Sequence, residues 1–462
     1  MSSNIYERYG LPFNPFPKGS FPVEDEYEKE YAKILVGSGE VIKKIKDLIK
    51  SFEHGDNPPV VAVVGDYGFG KTHILKHIQY EVMEKISMGL PIFIKGLQNP
   101  SSFELYKKII EFIRNHYGDE FIENMARFLI NNGNIKYIRR IWADYAKALE
   151  HIVAGRRKAM IWITGGKLNT DEMADLGIYS NIDEDNAKNA IIALTKAIFY
   201  GKKARLIILI DELEGVFGHE SIEDLRKFYD DLRNLIDMLQ REAMFILACP
   251  PSVLLGKQSF KQLHPALFDR IYESIIELKK LSEEEAIKLI ENYIVTFRKS
   301  EVRSLYPPTY PFTEEAIREI YSASGGVPRR LIMIARGMLE VAAKKRLNEI
   351  NLSFVRKVLS GEAVEEEPED EELKLVEEAI KEAEREKEAE EIVKEYELRG
   401  IEVQIVRKLR ESEDNSLAMS KLSREVGMPY KIILRKCKEL ERKGVVTVRR
   451  RGSGYRVYLR VV

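Results

Sequence analysis

The chain has 462 residues, 44% of them hydrophobic, and a formal net charge of −1. That length predicts about two to four domains with substantial cores, and so balanced a charge selects no partner by itself. The two cysteines, Cys249 and Cys437, offer neither a disulfide framework nor a metal-binding spacing. No apolar run approaches the roughly 20 residues of a membrane helix, and the first residues lack the apolar core of a signal peptide. A soluble, cytoplasmic protein with no membrane partner is expected. Charged residues reach 32%, mostly Lys, Arg and Glu, a balance resembling that of thermophile proteins.

Residues 1–35 read as an N-terminal arm. Its stretch YERYGLPFNPFP (6–17) is rich in proline and aromatic residues. Two readings stand for it: an arm packed on the next domain, or aromatic groups lining an adenine pocket. Apolar residues Ile42, Ile45, Leu48 and Ile49 predict a helix over 41–52, followed by a loop over 54–59. The apolar, valine-rich run 60–64 predicts a buried strand. It breaks into Gly65, Asp66, Tyr67, Gly68, Phe69, Gly70, Lys71 and Thr72, which fit G-x-x-x-x-G-K-[ST] at every fixed position. A helix is predicted over 73–85. Glycines free backbone N–H groups to point at phosphates, and the helix N-terminus favours negative charge. Lys71 is expected to reach the β- and γ-phosphates of a nucleoside triphosphate such as ATP, and the Thr72 hydroxyl to bind Mg2+.

A short strand is predicted at 91–94, then a mostly helical insertion over about 101–200. Its WITGGKL segment (162–168) fits no chemical motif. The run RLIILIDE (205–212) predicts a strand whose C-terminal end carries Asp211 and Glu212, at the edge where ligands bind open α/β sheets. Asp211 is expected in the Mg2+ shell, and Glu212 is placed to polarise an attacking water. Glu214 reads as a solvated loop charge in preference to a third acid. A helix over 222–241 leads to a strand over 244–249. Ser252, just beyond, is a candidate γ-phosphate sensor, with an ordinary strand-to-loop turn as the alternative. Arg270 falls in a predicted loop before a strand over 275–281.

Residues 282–361 read as a separate helical domain, with helices over 283–297, 313–323, 329–345 and 353–359. Within it, SGGVPRR (324–330) forms a turn that sets Arg329 or Arg330 at a helix start. Residues 362–398 read as an acidic, partly helical linker. Between 362 and 394 there are 16 acidic against 5 basic residues, so EEEPEDEE (365–372) is expected to be solvated and the rest an exposed helix. Residues 399–462 reverse the sign, with 17 basic against 7 acidic residues, an opposition that the overall charge hides. Helices are predicted there over 403–410, 419–426 and 430–443, with a turn at 427–429. A hairpin of 445–451 and 455–460 about a GSG turn follows.

The glycine loop, the LIDE strand end (209–212), FDRI (268–271) and the GGVPRR turn (325–330) together resemble an AAA+ ATPase, over roughly residues 30–360. The branch is the one that includes origin-recognition-type initiators, ExeA-like ATPases and transposition regulators. YGLPFNPF is similar to the start of ExeA-like members, and residues 162–215 resemble ATP-binding proteins of BREX-type phage-defence systems. The resemblance implies an α/β fold, with an AAA+ P-loop core of parallel sheet flanked by helices over 36–281 and a helical lid over 282–361. It implies ATP hydrolysis at a subunit interface of a homo-oligomer, with Arg270 as an arginine finger acting in trans and Arg329 as the sensor-2 arginine. Cys249, followed by two prolines, departs from the family's polar strand end at sensor 1.

The order of elements in 399–462 resembles a winged helix-turn-helix domain. On that likeness the third helix enters a major groove of double-stranded DNA with Tyr430, Lys431, Arg435 and Lys438. Arg449, Arg450 and Arg451 in the wing contact phosphate or a minor groove. Nucleotide state would then control assembly on DNA. Two alternatives stand. One is a DNA-binding regulator in which ATP is a slow switch and turnover incidental. The other is a defence-system or scaffold ATPase with a protein partner taken by the winged helix or by the insertion. The positive excess favours DNA over a protein partner.

Overall fold

The computed structural model describes residues 4–18, 21–22, 26–54, 60–85, 89–97, 99–216, 222–255, 259–272, 274–360, 371–396, 398, 401–412, 414–426, 428, 430–451 and 454–460. The expected loop at 54–59, the solvated stretch at 365–372 and the turns at 427–429 and 452–454 lie wholly or largely outside the described residues. Two compact units divide the chain, one of residues 40–65 and 74–277, the other of residues 1–39, 66–73 and 278–462.

The first unit is built on a five-stranded sheet. Its strands are β1 (Val61–Val64), β2 (Gly89–Lys95), β3 (Arg205–Asp211), β4 (Ala243–Cys249) and β5 (Ile275–Glu277), ordered β2-β3-β4-β1-β5 and all parallel. Valine, isoleucine and leucine runs without polar alternation suit strands covered on both faces, and every residue of β1 and β4 is buried. Pro91 lies in β2, where an edge position tolerates its missing N–H. The register pairs Val64 with Cys249 and Leu247 with Ile210, so β1, β3 and β4 end along one edge of the sheet.

Between β2 and β3 the chain passes through helices from Ser102–Tyr117 to Ala187–Lys202. Trp162, Tyr106 and Tyr145 are fully buried among them. The Tyr106 hydroxyl donates to the Ile163 carbonyl at 2.5 Å, and the Trp162 indole donates to the Ser180 carbonyl at 3.0 Å. The WITGG segment is therefore a helix end with an aromatic anchor. Helix Arg157–Ile163 stops where Gly165 takes φ 79°, and a Cβ at position 166 would lie 2.6 Å from Ile161.

Arg270 lies in a helix, Pro265–Tyr272, where the sequence suggested a loop. Proline opens the helix with a preset φ. The His264 ring accepts the Leu267 N–H at 2.9 Å, a capping role that sequence more often announces with Ser, Thr or Asp. The strand expected over 275–281 shortens to β5.

The second unit holds helices Glu283–Phe297, Glu314–Ser324, Pro328–Lys344 and Leu352–Leu359 around one core. The N-terminal arm belongs to that core. Tyr9, Leu11 and Phe16 are fully buried, the Phe16 ring lies 5.5 Å from that of Tyr293, and the Tyr9 hydroxyl donates to the Leu347 carbonyl at 2.8 Å. The arm packs, and it does so on the helical domain nearly 300 residues downstream. Tyr9 and Phe16 are buried in that packing, while Tyr6 and Phe13 are half-buried.

Helix α1 is Lys71–Lys85, α2 is Pro328–Lys344, α3 is Glu371–Glu395, α4 is Ile401–Glu411 and α5 is Tyr430–Arg442. The acidic helix α3 is not simply exposed. Val376 and Ala379 enter the helical core and Ala389 enters the C-terminal one, because small apolar residues among charges suffice for a narrow buried edge. The C-terminal domain combines α4, helix Met419–Glu425 and α5 with a three-stranded antiparallel sheet. Its strands are β6 (Ser416–Ala418), β7 (Val446–Arg451) and β8 (Gly454–Leu459), ordered β6-β8-β7. Ile405, Leu409, Leu422, Ile433 and Val457 are buried at its centre.

Candidate functional site

The chain leaves β1 at Val64, passes through the glycine loop and enters α1 at Lys71. Gly65 donates its N–H to the Cys249 carbonyl at 3.3 Å, which ties the first loop residue to the end of neighbouring β4. Gly68 and Gly70 adopt φ of 83° and 90°, a region side chains rarely enter. The Lys71 ammonium donates to the Asp66 carbonyl at 3.1 Å, closing the loop on itself. Asp66 and Tyr67 are exposed, while Phe69 and Thr72 are half-buried. A glycine loop running into a helix N-terminus is a site built for anions.

The start of α2 meets this loop. The Arg329 N–H donates to the Gly68 carbonyl at 3.2 Å, and the Arg329 guanidinium lies 4.4 Å from the centre of the Tyr67 ring. A Cβ at position 68 would come within 3.0 Å of Val327 and 3.1 Å of Arg329, so glycine there permits the close approach. The next residue has other partners. Arg330, 8% exposed, donates to Glu382 at 3.1 Å and to Glu386 at 2.7 Å, both on α3. Burial pushes the Glu386 carboxyl up, but Arg330, Lys280 and Arg407 outweigh it and leave the group below the usual carboxylate range. From α4, a guanidinium nitrogen of Arg407 stands 3.8 Å from the Asp66 carboxylate. The sequence signalled neither the Arg330 clamp nor Arg407, since each joins segments remote in the chain.

At the end of β3, Asp211 is 1% exposed, and the Gly96 N–H donates to its carbonyl at 3.1 Å. Glu212 follows at φ 51°, a left-handed conformation uncommon outside glycine. Its carboxylate is half-exposed and 3.9 Å from the Lys95 ammonium at the end of β2. Only the order of the strands makes Lys95 a neighbour. Glu214, read as a solvated charge, is half-buried in the short turn Leu213–Val216. Ser252 is exposed as the second residue of helix Pro251–Leu255, just after β4. Arg270 is exposed and pairs with Asp237 at 3.1 Å.

On α5, Tyr430, Lys431, Arg435 and Lys438 are exposed. Lys431, Arg435, Lys438 and Arg442 follow helical spacing along one face and line a shallow groove with Leu434 and Glu439. Ile433, Cys437 and Leu440 are buried on the other side, where burial pushes the Cys437 thiol up to about 12 and keeps it neutral. Arg449, Arg450 and Arg451 are exposed along β7. Among the described residues, no cluster of three or more His, Cys, Asp or Glu could hold a metal ion, and no helix is long and apolar enough to cross a membrane.

The KAP family P-loop domain matches residues 39–292 of this chain. An uncharacterized HTH-type transcriptional regulator of Methanocaldococcus jannaschii is 27% identical over 352 residues, covering 76% of this chain and 72% of that protein. Among solved structures, the Aeropyrum pernix ORC2 protein in its ADPNP–ADP complexes aligns with 94% of this chain and 93% of its own, at 12% identity and a TM-score of 0.48. The Aeropyrum pernix ORC1 protein in complex with DNA aligns with 96% and 93%, at 13% identity and a TM-score of 0.41.

Proposed function

The chain belongs to the KAP family of P-loop proteins, and from that premise we propose that it is an ATPase that binds double-stranded DNA through its C-terminal domain. One observation carries the reading. The strand, glycine loop and helix over 61–85 arise at the same sheet edge that carries a buried Asp211 at the end of β3. In open α/β sheets that edge is where ligands sit.

In this reading the backbone from Gly65 to Gly70 cradles the phosphates and Lys71 holds the terminal ones. Thr72 offers a hydroxyl and Asp211 a carboxylate, hard oxygen donors of the kind Mg2+ takes. Bound Mg2+ would supply charge neutralisation on the phosphates. Glu212, half-exposed at a strand end, orients and polarises the attacking water. Ser252 reads the γ-phosphate, Arg329 reports it to the helical lid, and exposed Arg270 completes the site of a neighbouring subunit in a homo-oligomer. The working parts are an arm (1–35), an AAA+ core (36–281), a lid (282–361), an acidic linker (362–398) and a winged-helix domain (399–462). For the last, support comes from the basic face of α5, with Tyr430, Lys431, Arg435 and Lys438, and from Arg449, Arg450 and Arg451 on β7.

The likeness to a protein named as an HTH-type transcriptional regulator favours a second reading. In it, ATP acts as a slow switch on a DNA-binding regulator and turnover is incidental. Steady-state ATP hydrolysis with and without duplex DNA separates the two. The ATPase reading expects turnover that rises with duplex, and a loss of about 100-fold or more in Glu212→Gln with nucleotide binding retained. Slow turnover indifferent to DNA, together with ATP-dependent DNA binding, supports the switch. A chain that ignores DNA altogether leaves its C-terminal domain to a protein partner.

A further inference from the structure

We infer that Arg407 and Asp66 couple the glycine loop to the C-terminal domain, so that nucleotide and duplex DNA bind with linked affinities. The inference rests on the proposed binding of nucleotide and DNA. Asp66 is a carboxylate within a loop whose backbone is shaped for phosphates, and an anion held there is repelled by it. Arg407 stands 3.8 Å from that carboxylate and offsets the repulsion. Its Nε is buried with no acceptor among the described residues.

The pair is half-exposed on both sides and weak as a source of stability. Its importance is positional. Arg407 belongs to α4, the first helix of the domain whose α5 carries the basic row. A second route runs in parallel. Arg329 holds the loop through the Gly68 carbonyl, and adjacent Arg330 holds α3 through Glu382 and Glu386. Helix α3 in turn packs on α4, where Glu388 pairs with Arg410. Both routes end on α4. A posture that keeps Arg407 at the loop favours a bound triphosphate, and by reciprocity the triphosphate favours that posture. Duplex bound on α5 senses the posture through α4.

The test uses the full chain and two titrations. The first measures affinity for a fluorescent, non-hydrolysable ATP analogue in wild type, Arg407→Ala, Arg407→Lys and Lys408→Ala. The expected result is an affinity about fivefold lower in Arg407→Ala, largely restored in Arg407→Lys and unchanged in Lys408→Ala, whose lysine pairs with Glu411. The second measures duplex affinity with and without the analogue. Wild type is expected to bind duplex about fivefold more tightly with the analogue, and Arg407→Ala and Asp66→Asn to bring that ratio near one.

A ratio unchanged in both variants overturns the coupling, and so does a wild-type ratio of one when both ligands bind. Wild type that binds nucleotide but no duplex sinks the DNA reading, and Arg407 is then judged on the first titration alone. There, equal affinity in wild type and Arg407→Ala overturns its role. Wild type with no nucleotide affinity overturns both readings.

Discussion

Arg330 and Glu386 meet at 2.7 Å across 56 residues of chain. Glu382 and Lys280 complete the cluster, the first at 3.1 Å from Arg330, the second at 3.5 Å from Glu386. Arg330 opens a helix beside the residue that holds the glycine loop, and Glu386 lies midway along the acidic helix. The contact therefore joins the segment with the greatest negative charge to the one arginine of the GGVPRR turn that is withdrawn from solvent.

Arg330→Met should destabilise the helical unit strongly. It leaves Glu386 partly buried without its main partner, a loss of about 3 kcal/mol. Glu382→Gln should cost less, about 1 kcal/mol or below, because Glu382 is half-exposed. Thermal unfolding of the two variants beside wild type gives the comparison. Equal midpoints would mean that the clamp contributes nothing.

The same cluster predicts a dependence on acidity. The folded Glu386 carboxyl sits below its ordinary range because Arg330, Lys280 and Arg407 outweigh its burial. A depressed carboxyl contributes stability above its unfolded value of about 4.3 and loses it as pH falls through the lower folded value. The difference in unfolding midpoint between wild type and Glu386→Gln should be constant from about pH 5 to 7 and shrink as the medium is acidified below about pH 4. A difference that grows on acidification would reverse the assignment.

Duplex binding should be salt-dependent through the face of α5. If Lys431, Arg435 and Lys438 each neutralise a phosphate, replacing all three by alanine lowers the slope of log affinity against log salt by about 2.7. Alanine at Lys421, exposed on the preceding helix and paired with Glu425, should leave most of the slope in place. Fluorescence anisotropy with a short duplex at several salt concentrations reads both.

Local pattern carried much of this fold into view. The valine strand, the glycine loop and the strand ending in Asp211 are contiguous in sequence, and each is formed by residues whose burial or backbone freedom leaves few alternatives. The parallel sheet followed from its apolar strands, although the strand order depends on pairings between segments remote in the chain. The short helix bearing Arg270 was hidden because a histidine and a proline start it. The buried edge of α3 was hidden because Val376, Ala379 and Ala389 are few among many charges. Lys95, Arg330 and Arg407 were illegible for another reason. Each gains its meaning from a partner on an element far away in the chain, and no periodicity reports such a meeting.

The N-terminal arm has a consequence for the order in which the protein is made. Tyr9, Leu11 and Phe16 leave the ribosome well before the rest of the helical unit, yet they pack among side chains such as Tyr293, Ile317 and Leu331. At about 5–20 residues per second, some 300 residues of synthesis hold them unsatisfied for about 15–60 seconds. The sheet-bearing unit can complete its core during that wait. The helical unit cannot, because its first strip of apolar surface and its last are separated by the whole of the other one.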